Sequence, residues 1–80
     1  MRIQILLFGI ASDLVGESSI TVEFPENISV LEFKTFFSEK FPKLKTVSSY
    51  AIAVNESYAQ DDYIIKSNDV IAIIPPVSGG

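Results

Sequence analysis

The end of this 80-residue chain offers one candidate reactive group, the free carboxylate of Gly80. Gly79 precedes it, so neither of the last two residues has a side chain that would block a narrow slot. Glycine also adopts whatever backbone angles such a slot demands. Gly79 and Gly80 would therefore suit a terminus that enters a narrow slot in a partner enzyme, with Gly80 as the candidate reactive residue. A frayed, glycine-rich end is the alternative that these residues alone leave open.

A stiff segment separates this terminus from the apolar run Val70–Ile74, which has the character of a buried strand. Pro75 and Pro76 cannot donate to a strand ladder, and they favour an extended path. Val77 and Ser78 follow, and they offer little that could pack back onto a domain and offset the entropy of ordering. We predict that residues 75–80 form a flexible C-terminal tail that becomes ordered inside a partner.

Length and composition limit the remaining possibilities. Eighty residues suit a single domain over 1–80, and 48% hydrophobic with 20% charged residues suits a compact globule. The chain has no cysteine and no histidine, so it has neither a thiolate nucleophile nor the commonest general base and metal ligand. Its net charge of −4 disfavours nucleic acid and anionic membranes as partners. We expect no bound cofactor or metal, no membrane span and a cytoplasmic location.

Two strands and a long helix are predicted in the first half of the chain. Ile3–Phe8 and Ser19–Phe24 have strand patterns, and Gly9 and Gly16 bound a short helical turn between them. A capping box at Ser29 and Glu32 predicts a helix that carries a phenylalanine stripe to Phe41. Pro42 should end that helix, and a loop should follow.

The second half is predicted to supply shorter elements. Tyr50–Val54 and Tyr58–Ala59 should form two strands, and Tyr63–Ile65 should plug one edge of the core. The turn at 67–69 then leads into Val70–Ile74. Asp61 and Asp62 are adjacent in a polar loop, where two carboxylates rarely converge on a metal or a proton.

These elements predict an α+β fold of the ubiquitin-like β-grasp type. The first and last strands are the most apolar, so they should lie side by side in the middle of a mixed sheet of about five strands. The long helix should cover one face of that sheet with its phenylalanines. A ferredoxin-like fold would need a second long helix.

One helix can cover only one face, and both central strands are more apolar than one covered face requires. We therefore predict an apolar patch near the tail, formed by Phe8, Ile71, Ile73 and Ile74, that binds partner proteins.

The chain resembles the small subunit of molybdopterin synthase, the sulfur-carrier family of molybdenum-cofactor biosynthesis. Most of the specificity lies in the ending Pro75-Pro76-Val77-Ser78-Gly79-Gly80. Weaker matches to the family are Asn68–Val70, Ala53–Asn55 and Leu14–Gly16. Family members often carry aromatic residues where this chain has Ile73 and Ile74, and this aliphatic pair can fill the same hydrophobic contact.

The resemblance implies a sulfur carrier that is not an enzyme by itself. A ubiquitin-activating-like adenylyltransferase would use ATP to join the Gly80 carboxylate to AMP, and sulfur would replace AMP to give a thiocarboxylate. The tail, with residues 75–78 in the partner's channel, would then enter the large synthase subunit in a heterotetramer. There it would donate sulfur to cyclic pyranopterin monophosphate.

Three alternatives remain open from the sequence. The sulfur carrier of thiamine biosynthesis shares the fold and the terminal diglycine. A ubiquitin-like protein modifier would join Gly80 to lysines, although such modifiers commonly carry arginine where this chain has Ser78. A plain β-grasp interaction domain would have an inert terminus.

Overall fold

A computed structural model describes residues 1–46 and 50–75. The elements in chain order are β1 (Arg2–Leu7), α1 (Gly9–Val15), β2 (Ser19–Glu23), α2 (Val30–Lys40), a 3-10 helix (Pro42–Thr46), β3 (Ala51–Val54), β4 (Ser57–Tyr58) and β5 (Val70–Ile74).

The strands form one mixed sheet in the order β2-β1-β5-β3-β4. β1 and β5 are parallel neighbours in its centre, with Leu7 opposite Ile73. The other three pairings, β1–β2, β3–β5 and β3–β4, are antiparallel. The side-by-side placement of the first and last strands is therefore confirmed. Each is an apolar strand with neighbours on both edges.

Helix α2 covers one face of this sheet through Val30, Phe33 and Phe37, all fully buried. The rings of Phe33 and Phe37 stack with centroids 5.4 Å apart. The remaining core is aliphatic side chains from the strands, chiefly Ile3, Ile5, Leu7, Ile52, Ile71 and Ile73. The mixed sheet with a helix on one face is as predicted.

The ends of α2 follow from local sequence. The Ser29 hydroxyl accepts from the Glu32 amide at 3.1 Å, and the Glu32 carboxylate accepts from the Ser29 amide at 3.0 Å. This reciprocal pair satisfies two amides that the first turn leaves free. The helix ends at Lys40, before Pro42, so both predicted boundaries are confirmed within one residue.

Two local expectations need correction. The predicted short turn after β1 is a seven-residue helix, α1, that ends at Gly16 with a left-handed φ of 89°. The predicted loop after Pro42 is a 3-10 helix, because Leu44 turns inward and is almost completely buried in the core. Among the described residues, neither α-helix is long and apolar enough to cross a membrane.

Candidate functional site

Strand β5 has a buried face and an open face, and it leads directly to the tail. Ile71 and Ile73 point toward α2 and are fully buried. Val70, Ala72 and Ile74 point the other way and are partly exposed. The expectation that Ile71 and Ile73 belong to an exposed patch is therefore wrong. The pairing of β5 with β1 and β3 places the side chains of Ile71 and Ile73 on the face of the sheet that packs against the core.

The open face of the sheet forms a shallow apolar groove of about 780 Å³. We call it the sheet groove. Its lining residues are Leu6, Phe8, Ala53, Asn55, Glu56, Tyr58, Val70, Ala72 and Ile74. The two most exposed aromatic side chains in it are Phe8 (50%) and Tyr58 (74%). Of the predicted patch, Phe8 and Ile74 line the groove, and their part in binding a partner stays a prediction. Exposed aromatic residues beside small apolar ones are typical of protein-binding surfaces.

The tail leaves the sheet at the end of the groove that Phe8 lines. The Phe8 amide donates to the Ile73 carbonyl at 3.4 Å, which extends the β1–β5 ladder by one bond. Gly9 follows with a φ of +53°, and a β-carbon on it would lie 3.4 Å from Cγ of Pro75. A side chain at position 9 would thus be in van der Waals contact with the first tail residue. Pro76, Val77, Ser78, Gly79 and Gly80, which were predicted to form the mobile, reactive part of the tail, lie outside the described residues.

A buried carboxylate, Asp69, fixes the other end of β5. Its Oδ1 accepts from Nδ2 of Asn55 at 2.9 Å. Its Oδ2 accepts from the Tyr63 hydroxyl at 3.1 Å and from the Lys66 amide at 2.9 Å. The Asn55 side-chain oxygen also accepts from the Val70 amide at 2.9 Å. These bonds connect the β3–β4 turn, the loop before β5 and β5 itself.

Burial alone would raise the pKa of Asp69. The hydrogen bonds from the Lys66 amide, the Asn55 amide group and the Tyr63 hydroxyl outweigh that effect, so the pKa of Asp69 is lowered from its ordinary value. Burial raises the pKa of Tyr63, and the bond to the Asp69 carboxylate raises it further. Asp69 therefore stays ionised and Tyr63 stays a neutral donor at neutral pH, which suits a structural cluster.

The turn between β3 and β4 has an unusual backbone. Asn55 and Glu56 both have positive φ, at 51° and 72°. A two-residue hairpin with these signs matches the type I′ turn, in which Asn-Gly is the favoured pair. Asn55 has the side-chain bonds described above, but Glu56 occupies the position that favours glycine. A residue with a β-carbon in this left-handed region costs roughly 1–2 kcal/mol.

The described residues supply an exposed, mostly apolar groove beside the start of the tail. No group of three or more acidic side chains within 1–46 and 50–75 is arranged to hold a metal ion. Asp61, half of the adjacent acidic pair, accepts from Nζ of Lys34 at 3.0 Å. Leu6, Tyr58 and Ala72 also line the groove, although none of them was predicted as a site residue. The sequence did contain a signal for Leu6. Side chains alternate along β1, so Leu6 lies on the other face of the sheet from its neighbours Ile5 and Leu7, which are in the core.

The fold is a ubiquitin-like β-grasp. A crystal structure of SAMP1 from Haloferax volcanii matches with a TM-score of 0.85 over 100% of both chains, at 20% identity. A chain in the complex of subunits 1 and 2 of molybdopterin-converting factor from Helicobacter pylori matches with a TM-score of 0.70 over 100% of both chains, at 28% identity. The predicted fold is confirmed.

Within this class the chain belongs to the ThiS family, which matches residues 5–80. A molybdopterin synthase sulfur carrier subunit of Arabidopsis thaliana is 37% identical, and the match covers 100% of this chain and 84% of that protein. The subunit of that name from Dictyostelium discoideum is 39% identical, with 99% of this chain and 96% of that protein covered. The resemblance seen in the sequence is confirmed.

Proposed function

We propose that this chain is a sulfur carrier for molybdopterin synthesis and that Gly80 carries the sulfur as a thiocarboxylate. The observation that carries the proposal is the relationship of the full chain to proteins named as molybdopterin synthase sulfur carrier subunits. The geometry of β5 supports it, because this central strand joins the open groove to residues 75–80.

The proposed loading reaction has two steps. The Gly80 carboxylate attacks the α-phosphate of ATP in a separate adenylating enzyme, which releases pyrophosphate and leaves an acyl adenylate. A hydrosulfide equivalent then attacks the acyl carbon, and AMP leaves with the bonding electrons. The product is a thiocarboxylate, a stronger nucleophile than the starting carboxylate.

The proposed delivery occurs in a second partner, the large synthase subunit. The thiocarboxylate sulfur forms a bond to a carbon of cyclic pyranopterin monophosphate, and the carbon–oxygen bond at that carbon breaks, with the oxygen leaving as water or with the phosphate group. Water then cleaves the acyl–sulfur bond and restores the Gly80 carboxylate. A dithiolene contains two sulfur atoms, so two loaded carriers are consumed for each product, which fits a heterotetramer of two small and two large subunits. The Helicobacter pylori complex of subunits 1 and 2 supports a partner of this kind.

The sheet groove is proposed to bind both partners beside the tail. Phe8 and Ile74 flank the point where Pro75 leaves the sheet, so a protein that holds Pro75–Ser78 in a channel would also cover these side chains. Burying an apolar side chain the size of phenylalanine contributes roughly 1.5–3 kcal/mol. The groove would supply affinity, and the diglycine would supply access to the reaction centre.

The intact mass after incubation with the adenylating enzyme, ATP and a sulfur donor tests the reaction. We expect one oxygen-for-sulfur exchange located at Gly80. Adding one alanine after Gly80 should abolish transfer without changing stability, because the reactive carbon moves by about 3.5 Å. An unchanged mass, or transfer that tolerates the added alanine, would contradict the proposal.

The same assay separates the alternatives. A loaded protein that supports thiazole rather than dithiolene synthesis would indicate a thiamine-type carrier. Isopeptide bonds from Gly80 to lysines would indicate a protein modifier. A terminus that no activating enzyme adenylates would indicate an inert interaction domain.

Docking through the groove is tested with a matched pair of exposed residues. Phe8 lines the groove and is 50% exposed, whereas Ile10 is 52% exposed and is not among the lining residues. Phe8→Asp should weaken binding to the large subunit by at least tenfold, in the range expected for an interface aromatic. Ile10→Asp should bind as the wild type does. Equal effects of the two variants would move the interface away from the groove.

A further inference from the structure

Among the residues that line the sheet groove, Glu56 is the one with a charged side chain, and the others are apolar or neutral. Glu56 is exposed. Within the described part of the chain, no hydrogen bond or ion pair engages its carboxylate. The groove therefore presents a negative charge that no neighbouring side chain in this part of the chain satisfies.

The backbone at Glu56 is strained, and nothing in the turn requires glutamate there. The left-handed φ of 72° would be relaxed by glycine. Asn55 is different, because its side chain bonds both Asp69 and the Val70 amide. A strained residue with an unused charge is a reason to look for a role in binding.

Glu56 and the start of the tail lie at opposite ends of the groove. Val54 pairs with Ile71 and Ala51 pairs with Ile74, so the β3–β4 turn lies at the start of β5. Ile74, where the tail begins, is four residues further along that strand. The two ends of the groove are thus roughly 13 Å apart at the usual rise of a strand.

We propose that Glu56 is a specificity-determining residue that binds a lysine or arginine of the large synthase subunit at the end of the groove opposite the tail. This inference rests on the proposed function. The partner surface that fits is an apolar projection over Ala72 and Val70, flanked by one basic side chain about 13 Å from the entrance of its tail channel. The ring of Tyr58 lines the same groove and can add a cation–π contact to that base.

In this arrangement, one end of the groove provides binding affinity and the other end selects the partner. Apolar contact near Phe8 and Ile74 is available to any protein that accepts the tail. A charge at the far end fixes the direction in which a partner lies on the groove and penalises a partner with an acidic group there. Glu56 would thus select the partner, and it would contribute less to affinity than the aromatic residues.

The test measures binding of the large subunit to four forms of the full chain: wild type, Glu56→Gln, Glu56→Gly and Glu56→Lys. We expect Glu56→Gln to weaken binding by about three- to tenfold at low salt and to reduce the salt dependence. Glu56→Lys should weaken it further. Glu39→Gln is the matched control, because Glu39 is an exposed carboxylate on α2, across the sheet from the groove, and it should bind as the wild type does.

Glu56→Gly gives a readout that a purely structural role would not produce. Relief of the backbone strain should raise the melting temperature by about 4–8 °C. Binding should nevertheless fall as in Glu56→Gln. A variant that is more stable and binds less well would show that Glu56 stabilises the complex and not the folded chain.

The outcomes separate this inference from the proposed function. If the wild type binds the large subunit and Glu56→Gln binds equally well with the same salt dependence, the inference is overturned and the carrier function stands. A loss seen only with the adenylating enzyme would also overturn it, because the basic group would then belong to the other partner. If the wild type does not bind the large subunit at all, both the inference about Glu56 and the proposed carrier function are overturned.

Discussion

The two faces of β5 differ in accessibility although they have similar composition. Ile71 and Ile73 are buried against the helix side of the sheet, and Val70, Ala72 and Ile74 line the open groove. Both sets are aliphatic, so hydrophobicity alone does not tell a stability residue from a binding residue. What separates them is α2, which covers only one face of the sheet. An apolar side chain on the uncovered face remains available to a partner protein.

The largest effect on the covered face is expected for Phe37→Ala. Phe37 is fully buried and stacks on Phe33, so the change should lower the free energy of unfolding by about 3–5 kcal/mol. Phe36→Ala is the control on the same helix, because Phe36 is 47% exposed and should lose far less. Urea denaturation of both variants measures the difference. A loss below about 1 kcal/mol for Phe37→Ala would mean that the covered face is wrongly assigned.

The neighbouring residues Ile73 and Ile74 test the difference between the two faces of β5 most directly. Ile73→Ala should cost about 2–5 kcal/mol of stability, because it leaves a cavity in the core. Ile74→Ala should cost less, since that side chain is only partly buried, and it should weaken binding to the large subunit instead. Thermal unfolding and binding isotherms give the two readouts. Equal stability losses with unchanged binding would remove the distinction between the faces.

Asp69→Asn should reduce stability at neutral pH by about 1–3 kcal/mol, because donors that now bond a carboxylate lose an acceptor. The pKa of Asp69 is lowered in the folded state. Its contribution is therefore fully present above the unfolded pKa of about 3.9 and is lost as the pH falls through the folded value. The stability gap between variant and wild type should narrow below about pH 4. A gap independent of pH, or a similar loss in the exposed control Asp62→Asn, would argue against this role for the ionised carboxylate.

The smallest stability effect is expected at the exit of the tail. Gly9→Ala and Gly16→Ala both place a β-carbon on a residue with positive φ, at a cost of roughly 1–2 kcal/mol each. Only the methyl group at position 9 meets Pro75, at 3.4 Å, whereas nothing lies within 4 Å of a β-carbon at position 16. Gly9→Ala should therefore slow sulfur transfer severalfold, and Gly16→Ala should not. Equal transfer rates would show that the contact with Pro75 does not orient the tail.

The sequence predicted the elements that depend on local pattern. The capping box at Ser29 and the phenylalanine spacing indicate α2, and Gly16 indicates the end of α1, because neighbouring residues alone determine these features. The 3-10 helix was not predicted, because Leu44 is buried without a repeating apolar pattern around it in the sequence. The hydrogen bonds of Asp69 and the position of Glu56 in the groove were not predicted either. Asp69 acquires its partners from three separate segments, and Glu56 gains its position from the pairing of β3 with β4.

By itself, the sequence determined that an apolar strand ends at two prolines and that a helix with a stripe of phenylalanines covers a sheet. It also determined which residues of β5 share a face, since side chains alternate along a strand. Only the tertiary structure decided which of those faces meets α2. Both faces of β5 are aliphatic, so the choice depends on the register with β1 and β3, and that register is set by partners distant in the sequence.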